Sequence, residues 1–211
     1  MRNVRRLLIG TIGLLLAGNV LILAAFVISR LSEDNPRFSI EGIGNVRAVD
    51  TKLWRGDAPS VEGYRELAER GVSTVVDLRA ERDVVVPSSV LDDLGIERIH
   101  MPIRDGQTPQ PEEAARFVKV VRHAEGRVFV HCGAGVGRTG VMAATYLVEE
   151  GKGSSWDALG RNLAVGPPSF EQIVYAASLE NDGDVEQPPA WVKSVSRLFD
   201  GPRRMWSVIR S

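Results

Sequence analysis

A glycine-rich stretch around the only cysteine of the chain constrains the fold more than any other feature. It reads His131-Cys132-Gly133-Ala134-Gly135-Val136-Gly137-Arg138-Thr139-Gly140. Its first residue, His131, ends a short apolar segment at residues 128–131 that is rich in valine. A buried strand that ends in a glycine-rich turn and leads into a helix is typical of α/β proteins, in which ligands bind beyond the carboxyl ends of the strands. The stretch therefore predicts an α/β fold with a binding site at the end of this strand.

The residue types in this stretch predict phosphoryl chemistry. Glycines allow successive backbone N–H groups to turn inward and hold an anion, and a helix that begins near Arg138 adds the positive end of its dipole. A thiol in such a place, close to a guanidinium, ionises readily and becomes a nucleophile. Arg138 offers a planar fork of donors for two phosphoryl oxygens, and Thr139 can donate its hydroxyl to the sulfur when that sulfur leaves. The predicted phosphate-binding residues are His131, Gly133, Ala134, Gly135, Val136, Gly137 and Arg138.

Other uses of these residues fit less well. A lone cysteine is often only a small buried apolar residue. A nucleotide-binding loop of the Walker type requires lysine where Arg138 stands. A metal site lacks ligands at suitable spacing, because His100 and His123 lie far from Cys132 in sequence. A reductase would need a second, resolving cysteine. We therefore expect no metal and no cofactor.

The order His, Cys, five residues, Arg and then Ser or Thr resembles the signature loop of the cysteine-dependent protein tyrosine phosphatase superfamily. Three flanking segments are similar to its small dual-specificity-like branch, so the resemblance covers roughly residues 46–180: Leu53-Trp54-Arg55-Gly56, Val75-Val76-Asp77-Leu78-Arg79 and Phe170-Glu171-Gln172. The resemblance implies a mostly parallel, twisted central sheet flanked by helices. It also implies hydrolysis of phosphomonoesters through a phosphocysteine intermediate.

The resemblance further implies an aspartic acid on a mobile loop that protonates the leaving oxygen. Asp105 is the candidate, since it follows a short apolar strand and precedes Gly106 in a loop that also contains prolines. The alternative for Asp105 is a solvated turn residue that bonds only to its own backbone. Asp57 is the main rival for the acid role.

The N-terminal segment predicts a membrane anchor. No charged residue lies between Leu7 and Ile28, a length sufficient to cross a bilayer as a helix. Three arginines precede this segment, which favours a cytoplasmic N-terminus and an extracytoplasmic catalytic domain. A cleaved signal peptide is the alternative, but the apolar run exceeds its usual length and lacks a convincing cleavage site. We expect a single-pass membrane protein, and nothing in this segment indicates an oligomer.

The rest of the chain is long enough for one domain. We predict an anchor at 1–30, a linker at 31–45, a phosphatase domain at 46–182 and a basic, aromatic tail at 183–211. The predicted strands are 46–49, 53–55, 72–78, 96–101 and 128–131, and the predicted helices are 60–70, 88–94, 111–124, 138–150, 154–164 and 168–180. For the tail, a helix that packs on its own domain is favoured over a segment that lies on anionic headgroups.

The variable positions of the loop carry no charge, which bears on the substrate. They favour phosphotyrosine, or a mixed phosphotyrosine, phosphoserine and phosphothreonine protein substrate, over a highly anionic inositol phosphate. A lipid phosphate remains an alternative substrate, because Arg79 and Arg104 can add positive charge from neighbouring loops. A small phosphomonoester and a non-catalytic phosphate-binding module are further alternatives. All acidic residues lie beyond Arg30, so this part of the chain is net acidic and nucleic acid is not an expected partner.

Overall fold

The central sheet is mixed and contains five strands. The computed structural model describes residues 2–31, 38–81, 86–180 and 187–198. Its strands are β1 (Arg47–Ala48), β2 (Leu53–Gly56), β3 (Val72–Arg79), β4 (Glu97–Ile103) and β5 (Arg127–His131). Their order is β1-β2-β5-β3-β4; β1 pairs antiparallel with β2, and all other neighbours are parallel. The mostly parallel sheet is thus confirmed, and the short connection between β1 and β2 accounts for its one antiparallel pair.

Strand β5 lies in the middle of the sheet because both of its faces are apolar. Val128, Phe129 and Val130 are all completely buried. A parallel strand covered by helices on both sides needs such a continuous apolar run rather than an alternating one. The strand therefore delivers the residues that follow it to the centre of the sheet's carboxyl edge.

The helices follow the predicted pattern closely. They are α1 (Arg2–Leu31), α2 (Val61–Glu69), α3 (Ser88–Asp93), α4 (Pro111–His123), α5 (Gly137–Glu149), α6 (Ser155–Leu163) and α7 (Phe170–Ala177). Residues 190–198 form a further helix, here called the C-terminal helix. The helix predicted at 60–70 begins as expected, with Ser60 as the N-cap of α2, whose hydroxyl accepts a hydrogen bond from the Gly63 N–H at 3.1 Å.

Two apolar cores lie on opposite faces of the sheet. The larger core contains the apolar faces of α4 and α5, including Phe117 and Met142, which are fully buried. The smaller core holds Tyr64 and Leu67 of α2 against Phe129. This arrangement places α5, which follows the glycine-rich loop, within the larger core and leaves its first turn at the edge of the sheet.

Helix α1 covers the segment predicted to be a membrane anchor. It runs for 30 residues and lies against α6, where Ala25 packs on the larger core. Among the residues whose side chains the structure describes, no helix has the length and apolarity needed to span a bilayer. Residues 32–37 of the predicted linker lie outside the described residues.

The described part of the tail packs on the domain. Val192 and Ser196 of the C-terminal helix are each only 1% exposed, whereas Trp191 is mostly exposed. This agrees with the favoured prediction of a helix that packs on its own domain. Residues 199–211 of the tail lie outside the described residues.

Candidate active site

The glycine-rich loop joins β5 to α5, as the sequence predicts. Cys132 follows the last residue of β5 directly and is 3% exposed. Val136 is the N-cap of α5, and Gly137 is its first residue. The loop therefore connects the carboxyl end of a buried strand to the positive end of a helix dipole, with the thiol between them.

The carbonyl groups of residues 133–136 each accept a hydrogen bond from a residue outside the loop. Gly133 O accepts from Ala58 N at 3.3 Å, Ala134 O from Asn45 Nδ2 at 3.0 Å, and Gly135 O and Val136 O from Arg55 Nη2 at 2.8 and 3.1 Å. The N–H groups of residues 133–137 donate to no acceptor among the described residues. Because the carbonyls are held on the outside, these N–H groups are available to an anion on the inner side.

Two loop glycines are required by their surroundings. Gly135 has a φ of +67°, and a Cβ at this position would lie 2.3 Å from the carbonyl carbon of Gly56. A Cβ on Gly137 would lie 2.5 Å from Oε1 of Gln172. Only glycine fits either position, because one contact involves backbone and the other a buried, hydrogen-bonded amide.

Arg55 supports the loop from behind, a role that the sequence analysis did not predict. The residue is 4% exposed, and its Nη2 also donates to Oδ1 of Asn162 on α6 at 3.1 Å. A Cβ on Gly140 would lie 1.7 Å from the same oxygen, so glycine is needed there for α5 and α6 to approach. Arginine in the middle of an apolar strand was a signal that could have indicated a buried role.

Arg138 lies beside the loop and is held by a carboxylate. Its Nη1 donates to Oε2 and Oε1 of Glu81 at 2.7 and 3.1 Å and to the carbonyl of Ile103 at 3.2 Å. Burial lowers the pKa of Arg138, but the charges of Cys132 and Glu81 outweigh burial and raise the pKa. Burial likewise raises the pKa of Glu81, and the hydrogen bond from Arg138 reverses this and lowers it. The sequence analysis missed Glu81, which lies more than 50 positions from Arg138 and in no recognisable motif.

The two candidates for the general acid lie in different surroundings. Asp105 Oδ1 lies 3.5 Å from Nη2 of Arg138, and its side chain is 59% exposed. Asp57 instead accepts a hydrogen bond from Gly44 N–H at 2.6 Å, and burial raises its pKa against that bond. The Asp57 carboxylate thus holds the neighbouring chain, while Asp105 faces the arginine at the open side of the site.

His131 and Thr139 are buried beneath the loop. His131 is completely buried, and its Nδ1 lies 3.2 Å from the carbonyl of Cys132. Burial lowers the pKa of His131 to about 4, although the Asp77 carboxylate, 3.9 Å from Nε2, acts to raise it. His131 therefore supports the loop as a neutral ring. Oγ1 of Thr139 is buried and has no hydrogen-bond partner in the described part of the chain, so its donation to sulfur stays a prediction.

Arg79 pairs with a carboxylate of its own strand. Its Nε and Nη2 donate to the Asp77 carboxylate at 3.0 and 2.8 Å, and its side chain is only 9% exposed. The charge of Arg79 also helps to lower the pKa of Glu81, and its contribution to anion binding stays a prediction. Arg104 is exposed. Across the ranges that the structure describes, no group of three His, Cys, Asp or Glu residues could hold a metal ion.

Comparison with known proteins identifies the family. Residues 37–164 match the model of PTP-NADK, described as "DSP-PTPase phosphatase fused to NAD+ Kinase". The chain belongs to this family. Its domain is thus of the dual-specificity type within the cysteine-dependent tyrosine phosphatase superfamily.

Similar proteins agree with the PTP-NADK assignment. The chain is 38% identical over 82 residues to tyrosine-protein phosphatase cdc-14 of Caenorhabditis elegans, covering 39% of this chain and 11% of that protein. It is 32% identical over 104 residues to probable NAD kinase 2, chloroplastic, of Oryza sativa subsp. japonica, covering 46% and 11%. The chain therefore spans about a tenth of the length of these two relatives.

A solved structure supports the fold of the PTP-NADK domain. Pseudomonas aeruginosa TpbA, as a variant in complex with pTyr, superposes with a TM-score of 0.55 at 20% identity, covering 78% of this chain and 94% of TpbA. At this identity the likeness concerns the fold alone.

Proposed function

We propose that this protein hydrolyses phosphomonoesters through a phosphocysteine intermediate. The observation that carries the proposal is the loop itself. Its carbonyls are held outward, its N–H groups are left for an anion, and Cys132 and Arg138 lie at its two ends. Such a site stabilises the charge on a transferring phosphoryl group while it presents a nucleophile to the phosphorus.

In the first step, the Cys132 thiolate attacks phosphorus and forms an S–P bond as the P–O bond to the leaving group breaks. The loop N–H groups and Arg138 hold the three non-bridging oxygens. Asp105 transfers its proton to the leaving oxygen, which departs as an alcohol or phenol. The Glu81 carboxylate, which pairs with Arg138 in this structure, can move away when a phosphoryl group binds, because 40% of the Glu81 side chain is exposed.

In the second step, a water molecule attacks the phosphocysteine. The Asp105 carboxylate accepts a proton from this water, the O–P bond forms, and the S–P bond breaks to release the thiolate and inorganic phosphate. The buried Thr139 hydroxyl, which has no partner in the described residues, is available to donate to the sulfur as it leaves.

Phosphoproteins are the substrates that the site favours, with phosphotyrosine first. Gly133 and Ala134 are exposed at the rim of the loop and add no charge. A site with so little extra positive charge suits a single phosphate better than a multiply phosphorylated inositol headgroup. The complex of TpbA with pTyr and the name of the cdc-14 relative support the same substrate class.

We also propose that α1 anchors the enzyme in a membrane. The uncharged run from Leu7 to Ile28 lies within this helix, and the preceding arginines favour an extracytoplasmic catalytic domain. Two measurements test this. The chain should stay with membranes after an alkaline carbonate wash, and intact cells that express it should hydrolyse externally added p-nitrophenyl phosphate. Release by the wash would refute the anchor, and activity only after lysis would refute the orientation.

The catalytic proposal is tested with the full chain in a nonionic detergent. Hydrolysis of p-nitrophenyl phosphate in excess EDTA should be lost in Cys132→Ser and kept in Ser178→Ala, a control at the end of α7. Vanadate binding to Cys132→Ser shows that the variant is folded. Vanadate binding without turnover by the reduced wild type would instead indicate a phosphate-binding module.

A further inference from the structure

The loop that carries Asp105 is hydrogen-bonded to other parts of the molecule at each residue from 106 to 109. This segment, residues 104–110, is called the acid loop here. Ser169 Oγ donates to the Gly106 carbonyl at 2.8 Å, and Gln172 Nε2 donates to the Gln107 carbonyl at 3.0 Å. Ser169 and Gln172 begin α7, so the start of this helix holds the two residues that follow Asp105.

A buried carboxylate binds the next position of the acid loop. Oε1 of Glu171 accepts from the hydroxyl of Thr108 at 3.2 Å and lies 3.4 Å from its backbone N. Glu171 is 3% exposed and Thr108 is 6% exposed. A carboxylate is costly to bury, and here its hydrogen bonds go to the acid loop.

The C-terminal segment makes two hydrogen bonds in this region, one to the acid loop and one to Glu171. Gln187 Nε2 donates to the carbonyl of Pro109 at 2.9 Å. Ser196, on the buried face of the C-terminal helix, accepts a hydrogen bond from the backbone N–H of Glu171 at 3.1 Å. The C-terminal segment beyond α7 thus contacts the acid loop directly through Gln187. It also contacts Glu171, which binds the acid loop, through Ser196.

We propose that Glu171, Thr108 and Ser196 are positioning residues for the general acid, and that the C-terminal helix is part of the catalytic unit. The acid loop was expected to be a mobile lid, but these hydrogen bonds hold it in place with Asp105 beside Arg138. A fixed loop spares the enzyme the cost of ordering the acid in each turnover, because the donor is already at the leaving oxygen. This inference rests on the proposed function, since it concerns how that same site protonates its leaving group.

The test uses the dependence of rate on the leaving group. The full chain in detergent is assayed for kcat/KM on p-nitrophenyl phosphate, phenyl phosphate and a simple alkyl phosphate. Thr108→Val keeps the shape of the side chain and removes its hydroxyl, and Ser196→Ala removes the contact to Glu171. Ser194→Ala is the matched control, because Ser194 is exposed on the same helix and its hydroxyl donates to the carbonyl of Ala190 within that helix.

We expect Thr108→Val and Ser196→Ala to lose at least about tenfold on the alkyl phosphate and less than about threefold on p-nitrophenyl phosphate, whose leaving group hardly needs a proton. Asp105→Asn should show the same selectivity more strongly, and Ser194→Ala should match the wild type.

A loss that is equal on all substrates, or no loss, would overturn the inference, because a general loss of folded protein does not depend on the leaving group. Absence of Cys132-dependent turnover in the wild type would refute the proposed function, and with it the inference. The two failures are therefore distinct.

Discussion

The buried His131 makes the stability of the fold depend on pH below neutrality. Its pKa falls from the ordinary 6.5 to about 4 in the folded chain. Between these values the unfolded chain binds a proton that the folded chain does not, so the free energy of unfolding decreases as pH falls. The slope is about 1.4 kcal/mol per pH unit, which gives a loss of about 3 kcal/mol over this window. Above pH 6.5 the contribution is fully present.

The assay is denaturant unfolding of the full chain in detergent from pH 4 to pH 7.5, compared with His131→Asn. Carboxylates also lose stabilising contacts in acid. The informative quantity is therefore the difference between the stability curve of the wild type and that of His131→Asn. The wild type should lose about 3 kcal/mol more than the variant over the window. Parallel curves for the wild type and His131→Asn would show that the buried ring titrates normally, which would refute the reasoning.

Three further predictions concern the site. Gly140→Ala should destabilise the fold by about 1–3 kcal/mol in thermal or denaturant unfolding, because its methyl group meets Asn162, and a second change, Asn162→Ala, should recover part of the loss. If the double variant recovers none of the lost stability, the contact with Asn162 is not the cause of the loss. Asp105→Asn should reduce kcat/KM on alkyl phosphates by about 10²–10⁴-fold, and an equal loss on p-nitrophenyl phosphate would count against a general acid. Glu81→Gln should tighten inorganic phosphate binding, measured by competitive inhibition, because the Arg138 guanidinium no longer pairs with a carboxylate; weaker binding would mean that Glu81 serves to orient the arginine.

The sequence predicted those parts of the site that depend on local pattern. The strand before Cys132, the glycine-rich turn and the helix after it each have a signal within a few residues, since apolar runs and glycines act locally. Asp105 was proposed as the acid because it follows a strand and precedes a glycine turn, and this role stays a prediction.

The contacts that support the site were not predictable in this way. Arg55, Glu81 and Asn162 come from three separate parts of the chain. Arg55 bonds to the loop, Asn162 to Arg55, and Glu81 to Arg138, and these pairings depend on the order of strands in the sheet rather than on spacing in the chain. Arg79 illustrates the converse. Its position at the end of a strand suggested that it adds charge to the site, and the sequence did not indicate that its guanidinium pairs with Asp77, two residues earlier on the same strand.

The mobility expected of the acid loop also depended on residues far away. Gly106 and nearby prolines are typical of a hinge, yet this segment is bonded to the start of α7 and to Gln187. A local sequence pattern can indicate a loop, whereas its freedom to move depends on the tertiary contacts around it.

The most direct test of the central claim is to trap the covalent intermediate. The full chain is mixed with p-nitrophenyl phosphate, quenched within milliseconds and digested, and the peptide that contains Cys132 is examined by mass spectrometry under conditions that preserve the S–P bond. The account predicts one phosphoryl group on Cys132, formed and lost at rates compatible with turnover. Turnover with no phosphoryl group on this peptide, or with the group on another residue, would contradict it.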